Sequence, residues 1–275
     1  MELEKLEKVK SALNCASPLI SEIEKMRDAK LIVFFCLKPI NSGVAFKLHR
    51  VLRTLKSVEN LDILIESGGG DIDAASKIFK MLKSNCKKLA VMVPFYCKSA
   101  ATLIAISADE LVMCKSGELG PVDTIVKDPT TDIWIPAHSI KEAISFIEET
   151  EDPLVKLSMA DKLPPLLLGA FRDAQNAAKQ YLEEALKKLG NNREQALETF
   201  TTRFLSHGYP IDRDLCKSNG LNVIFPNDEL EDKICDLHAI YVGLMMDMKT
   251  DEIMIIQASG KKCIEINGED ISASV

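Results

Sequence analysis

Between residues 31 and 114, apolar runs of strand length alternate with stretches of helical periodicity, and this rhythm constrains the fold more than any other feature of the chain. LIVFFCL (31–37), LDILIES (61–67), LAVMVPF (89–95) and ELVMC (110–114) read as strands. SGVAFKLHRVLRTLK (42–56), DIDAASKIFKMLKSN (71–85) and SAATLIAISA (99–108) fall between them with helical spacing. Alternating strands and helices with short connections imply parallel strands joined by right-handed crossovers, hence an α/β fold.

The flanks read differently. Residues 2–28 are rich in Leu, Glu and Lys, with Leu3, Leu6, Val9 and Leu13 at helical spacing, which predicts an amphipathic lead-in helix. From Ile140 to Phe204 the strand signal disappears, and FRDAQNAAKQYLEEALKKLG (171–190) reads as a helical segment ending at Gly190. Near the end, MIIQASGKKCIEI (254–266) holds two β-type runs around Ser-Gly, a hairpin pattern. At 275 residues, one layered α/β domain with appendages suffices to bury a core. The expected organisation is a helix over 1–29, an α/β domain over 30–228 with its helical segment at about 138–204, and a helix with hairpin over 229–275.

Composition narrows the function classes. A formal charge of -7 and a pI near 5.3 argue against a polyanion-binding surface, so nucleic acid is not an expected partner. The apolar run at 31–37 has seven residues where a membrane-spanning helix needs about 20, and it reads as a buried strand. The start MELEKLEKVKSALN interleaves acidic and basic residues rather than placing a basic start before an apolar stretch, so no secretory signal or membrane span is expected and the location is read as cytoplasmic. Eight cysteines are dispersed without a CxxC pair or a histidine at zinc-site spacing, as expected of reduced core thiols. No Walker-type phosphate loop occurs, and neither cofactor nor metal is expected.

Two segments carry chemistry, each at the C-terminal end of a strand, where open α/β sheets place their ligands. In Glu66-Ser67-Gly68-Gly69-Gly70-Asp71, three successive glycines between strand and helix allow backbone angles denied to other residues and let N–H groups approach a ligand. Such groups can stabilise an oxyanion; a tight turn without a ligand explains the same glycines. In Phe95-Tyr96-Cys97-Lys98-Ser99-Ala100-Ala101-Thr102, a serine heads an apolar helix. Serine there is ordinarily an N-cap. Yet the helix N-terminus offers free N–H groups and a positive dipole end to a developing anion, and Ala100 and Ala101 leave space for a substrate carbonyl.

SGGGD (67–71), then KSAATLIA (98–105), then ADELVMCKSGELGPVD (108–123), taken as an ordered set, resemble the Clp-protease and signal-peptide-peptidase class of serine peptidases. The GELGP segment and the later His207-Gly208-Tyr209-Pro210-Ile211 are similar in particular to the serine dehydrogenase proteinase family, over roughly residues 30 to 225. The resemblance implies a Clp protease/crotonase-like spiral of ββα units with an added helical segment, and self-assembly into a homo-oligomer. It makes Ser99 the nucleophile, with the N–H groups of Gly69 and Ala100 as oxyanion donors, Gly68 and Gly70 shaping the same turn, and Glu118 to Pro121 lining the cleft. The implied activity is peptide-bond hydrolysis through an acyl-enzyme, with peptide or protein as substrate.

A serine hydroxyl needs a base within hydrogen-bond reach. Clp-type enzymes use a histidine about 25 residues after the serine, but here Gly120 to Thr124 contains none. Three candidates stay open. Lys156, in DPLVKLSMADKLPP, occupies a position comparable to the lysine of Ser–Lys relatives and would need burial in an apolar cleft to lower its pKa. His138, just before a helix, needs no large shift to accept a proton. His207 stands next to the position of the Clp orienting aspartate, here Gly208. Lys98 adjoins the nucleophile and is expected to point away, while His49 and His238 read as ordinary helix residues. Two other functions compete: acyl-CoA chemistry of the crotonase type, for which no glutamate pair stands beside the glycine turn, and a non-catalytic oligomeric scaffold that has lost its base.

Overall fold

The computed structural model describes residues 2–55, 57–122, 125–127, 134–204 and 206–273. The chain runs through α1 (Glu2–Arg27), β1 (Lys30–Cys36), α2 (Ser42–Leu52), β2 (Val58–Glu66), α3 (Ile72–Ser84), β3 (Cys86–Val93), β4 (Tyr96–Cys97), α4 (Ala100–Ser107), β5 (Glu110–Met113) and β6 (Glu118–Leu119). Next come β7 (Ile125–Lys127), β8 (Trp134–Pro136), α5 (Ala137–Glu149), α6 (Pro153–Ala160), α7 (Pro165–Ala185), a 3-10 segment (Leu186–Asn192) and α8 (Arg193–Thr201). The last stretch holds β9 (Ile211–Asp212), α9 (Arg213–Ser218), β10 (Val223–Ile224), α10 (Asp228–Met248), β11 (Ile253–Ala258), β12 (Lys261–Ile266) and β13 (Glu269–Asp270). Met1–Gly120 with Pro210–Val275 make one compact unit, and Pro121–Tyr209 make a second.

In the first unit the main sheet has the order β10-β5-β3-β2-β1-β11-β12-β13 among the described residues. From β10 to β1 every pairing is parallel, as the alternating pattern predicts, and the terminal hairpin adds β11 and β12 antiparallel beyond β1. The strands are continuous apolar runs because both faces are covered. Leu31, Val33 and Phe35 join one core with Val9, Leu13, Ile20 and Ile23 of α1 and with Ile234, Leu237, Tyr241 and Leu244 of α10. The intervening Ile32 and Phe34 are equally buried and project to the opposite face. α2 packs against β11 and β12, and α3 and α4 against β3.

Among the element boundaries that differ from the sequence pattern, two have a plain cause. α2 stops at Leu52, short of residue 56, because the chain must turn to enter β2 at Val58. β3 occupies 86–93 instead of 89–95, since Pro94 has no N–H for the ladder. Asn41 caps α2 by accepting from Val44 N–H, and Asp71 caps α3 by accepting from the N–H groups of Asp73 and Ala74, so the residue that ends the glycine turn also starts a helix.

Where α1 meets the sheet, Arg27 lies between two carboxylates. Its Nε is 2.9 Å from Asp62 Oδ2 and its Nη2 3.1 Å from Glu110 Oε2, while Lys88 Nζ is 2.6 Å from Glu110 Oε1. Burial pushes the Asp62 carboxyl above its ordinary value in spite of Arg27. Burial would also raise Glu110, but its bonds with Lys88 and Arg27 outweigh that and hold it below.

In the second unit β7 and β8 form an antiparallel pair. Ile140 of α5 and Leu167 and Phe171 of α7 build a small core, and Val122 N–H bonds Phe200 O of α8 at 2.7 Å. α6 buries none of its residues; Leu154 and Leu157 are largely exposed. The helical reading of 171–190 is met by α7 and the 3-10 segment, whose kink is Gly190 at φ +57.

Candidate active site

Three strand ends and two loops converge in the first unit. Ser67 follows β2 and is fully buried: its N–H donates to Tyr96 O at 3.3 Å, its carbonyl accepts from Lys98 N–H at 2.9 Å, and its Oγ accepts from Gly69 N–H at 3.2 Å. The strap 96–98 that leads to Ser99 is thereby laced to the segment that leads to the glycine turn. On the other side, Ile40 N–H bonds Gly69 O and Ile40 O accepts from Asp71 N–H, both at 2.8 Å. A Cβ on Gly70 would stand 2.4 Å from Ile40 N and O, so that position admits only glycine. Gly68, by contrast, faces open space within 4 Å.

Ser99 itself has φ +51 and ψ −124, a conformation that a residue with a Cβ adopts only under constraint. It stands at the N-terminus of α4, yet its side chain makes no capping hydrogen bond. The ordinary explanation for a serine in this place, capping, does not describe this one. Strain at the strand-to-helix turn is the geometry of a nucleophile elbow, which thrusts a hydroxyl out of the chain path. Gly69, at φ +98, fills the space in front: a Cβ there would stand 2.9 Å from Ala100 N. Ala100 N–H, at the first helical position, has no intrahelical acceptor. The structure therefore brings Gly69, Ser99 and Ala100 together, with the Gly69 N–H turned to Ser67 Oγ.

The segment 118–120 is clasped to the elbow. Lys98 Nζ donates to Leu119 O at 3.1 Å and lies 2.6 Å from Glu118 Oε1, so the lysine reaches along this segment. Fully buried Thr102 Oγ1 is 2.8 Å from Cys97 O and 2.9 Å from Gly120 O, donating its one proton between them, and accepts from Gly120 N–H at 3.2 Å. β6 also pairs with β4 on one side and β9 on the other, with Leu119 opposite Ile211. The thiol of Cys97, two residues before Ser99, is pushed well above its ordinary value by burial, as a neutral core thiol.

All three candidate bases lie in the second unit. Lys156 Nζ donates to Glu148 O at 2.8 Å, on a helix whose Leu154, Val155 and Leu157 are exposed. His138 starts α5, but its side chain is outside the described residues. His207 is half-buried and lines a groove of about 1200 Å³ with Lys179, Glu183, Arg193 and Glu198. The rings of Phe204 and Tyr209 stack on either side of it in sequence, 3.6 Å between centroids.

Sequence reasoning missed the partners of Ser67 and Thr102, for which no local signal exists, and the placement of His238. That residue is not an ordinary helix residue: its Nε2 is 3.3 Å from Oε2 of Glu66, the last residue of β2.

A parallel α/β sheet with a glycine turn pressed against a strained serine at its strand ends defines a serine hydrolase scaffold. The chain belongs to the ClpP-like SDH-type serine proteinases, a family that matches residues 10–265, and it is a serine-type peptidase. Two uncharacterized proteins of Methanocaldococcus jannaschii are similar to it: MJ0137, 27% identical over 251 residues (90% of this chain, 82% of the relative), and MJ1495, 26% identical over 238 residues (81% and 75%). Among solved structures, the 1510-N membrane-bound stomatin-specific protease in complex with a substrate peptide is 18% identical with a TM-score of 0.45, covering 74% of this chain and 80% of that one. ClpP1 from Listeria monocytogenes is 15% identical with a TM-score of 0.42, covering 75% and 98%. No described helix is long and apolar enough to cross a membrane.

Proposed function

We propose that this peptidase cleaves peptide bonds through an acyl-enzyme at Ser99, with peptide or unfolded protein as substrate and His207 as the base. The observation that carries the proposal is the conformation of Ser99, held at φ +51 without using its hydroxyl as a cap. Ser99 Oγ attacks the scissile carbonyl carbon while its proton passes to the base. The carbonyl oxygen takes up the negative charge and is met by Ala100 N–H and an N–H of the glycine turn. Collapse breaks the C–N bond, the base returns the proton to the leaving amine, and a water molecule then hydrolyses the ester by the same route in reverse.

Gly69 N–H can serve as the second donor by leaving Ser67 Oγ, which offers it an uncharged acceptor; a developing oxyanion is the stronger one. For the base, Lys156 Nζ is already engaged with Glu148 O, on a helix that buries none of its residues. His207 stands four residues before Ile211, which pairs with Leu119 next to the Thr102–Gly120 clasp. An imidazole accepts a proton near neutrality without any large perturbation.

Fluorophosphonate labelling followed by peptide mapping tests the proposal. The label is expected on Ser99, with casein hydrolysis lost in step with labelling. Label on another serine, or hydrolysis persisting in a fully labelled enzyme, would overturn it.

A further inference from the structure

One ionisable pair beneath the glycine turn is unused by the mechanism above. Glu66 closes β2 and is 2% exposed. Its Oε2 accepts from Tyr96 N–H at 3.1 Å, and His238 Nε2 of α10 stands 3.3 Å from the same oxygen, an ion-pair distance although the ring is not aligned for a hydrogen bond. The imidazole touches Phe35 and Phe95, each with ring centroids 6.1 Å away. A carboxyl group withdrawn from water to this extent needs polar partners, and the Tyr96 N–H and the imidazole are the two it has here.

The position of the pair gives it a consequence. Tyr96 begins the strap that ends at Ser99, and the strap is held to the end of β2 by three bonds: Glu66 carboxylate to Tyr96 N–H, Ser67 N–H to Tyr96 O, and Lys98 N–H to Ser67 O. The last two are backbone ladder bonds that any side chain would permit. The first is the side-chain bond, and it sits at the far end of the strap, where it fixes the angle at which residues 97–99 leave the sheet.

We infer that Glu66 and His238 are positioning residues of the peptidase site: the imidazole on α10 fixes the Glu66 carboxylate, and the carboxylate fixes the strap that sets Ser99 against Gly69. The inference rests on the reading of Ser99 as nucleophile. A displacement of the nucleophile by about 1 Å is enough to cost about 10²-fold in rate without weakening substrate binding.

The test measures kcat and KM separately on a fluorogenic peptide, with melting temperatures, in the full chain carrying His238→Ala, His238→Gln, Glu66→Leu or the double change Glu66→Leu with His238→Ala. Glu66→Leu removes the acceptor of the Tyr96 N–H, which Glu66→Gln would keep. Expected are kcat losses of about 10- to 100-fold in His238→Ala and Glu66→Leu, with KM changed less than about threefold. His238→Gln, whose amide can donate to the carboxylate, should recover most of the rate. The double variant should be no slower than the slower single, because both act through one contact. Normal kcat in a folded His238→Ala or Glu66→Leu, or losses that multiply in the double variant, would overturn the inference. Should His238→Ala not fold, Glu66→Leu decides alone. Ser99→Ala run alongside separates the two claims: an active Ser99→Ala refutes the nucleophile, whereas an inactive Ser99→Ala beside an unaffected Glu66→Leu refutes only the pair.

Discussion

Gly69 lies so close to Ser99 that a Cβ on the glycine would stand 2.8 Å from the Cβ of the serine. The same atom would approach Lys98 O to 2.7 Å, and the backbone at φ +98 excludes side chains in any case. The glycine turn and the turn that carries Ser99 are thus fitted to one another across a single missing methyl group.

Gly69→Val is therefore expected to push the two loops apart and lower kcat/KM by about 10²-fold or more through loss of the turn donor. Steady-state kinetics on a fluorogenic peptide check this. Unchanged kinetics would place the donor elsewhere.

Ser99→Ala should abolish hydrolysis while leaving the strained backbone as it is. Ser99→Gly should abolish it too, yet melt at a higher temperature than Ser99→Ala, because glycine relieves a strain of roughly 1–3 kcal/mol. Equal melting temperatures would show that φ +51 costs the protein nothing.

The base is read from pH and substitution together. With an imidazole base, kcat/KM should rise with pH through an ionisation near the histidine reference of about 6.5, since only the neutral ring accepts a proton. A lysine base would instead show activity still climbing at higher pH unless its pKa were strongly lowered. His207→Ala is expected to cost orders of magnitude, whereas Lys156→Ala and His138→Ala should stay near the parent rate. Normal hydrolysis by His207→Ala would refute the assignment.

Arg27→Met should destabilise the fold by about 3–5 kcal/mol at neutral pH, because it strands the buried Asp62 carboxylate and leaves Glu110 to Lys88 alone. Asp62 is already raised by burial, and losing Arg27 raises it further. The folded variant then binds a proton more readily than the unfolded chain, so its deficit should shrink as pH falls from neutrality toward the aspartate reference of about 3.9. Urea unfolding at several pH values measures the gap; a gap that widens on acidification would contradict this sign.

The strands β1, β2, β3 and β5 are legible in the chain because parallel strands covered on both faces are written as uninterrupted apolar runs, a local signal. The sheet order is not legible, since the choice of β11 as the neighbour of β1 depends on contacts between residues more than 200 positions apart. At the site, the glycine turn and Ser99 announce themselves through short motifs. Whether Ser99 caps its helix does not, because the strap before it is held by Ser67 and faces Gly69, residues remote from it in sequence. His238 escapes notice for the same reason: nothing near it on α10 points to Glu66, and only packing brings the two within 3.3 Å.

The pairing of Ile32 with Ala258 also sets a timetable. During synthesis β1 emerges well before β11, the strand that covers its open edge. For most of translation that edge is a bare row of backbone donors and acceptors flanked by Leu31, Val33 and Phe35, the kind of surface that templates intermolecular pairing. Chains interrupted before residue 253 would carry that bare edge permanently.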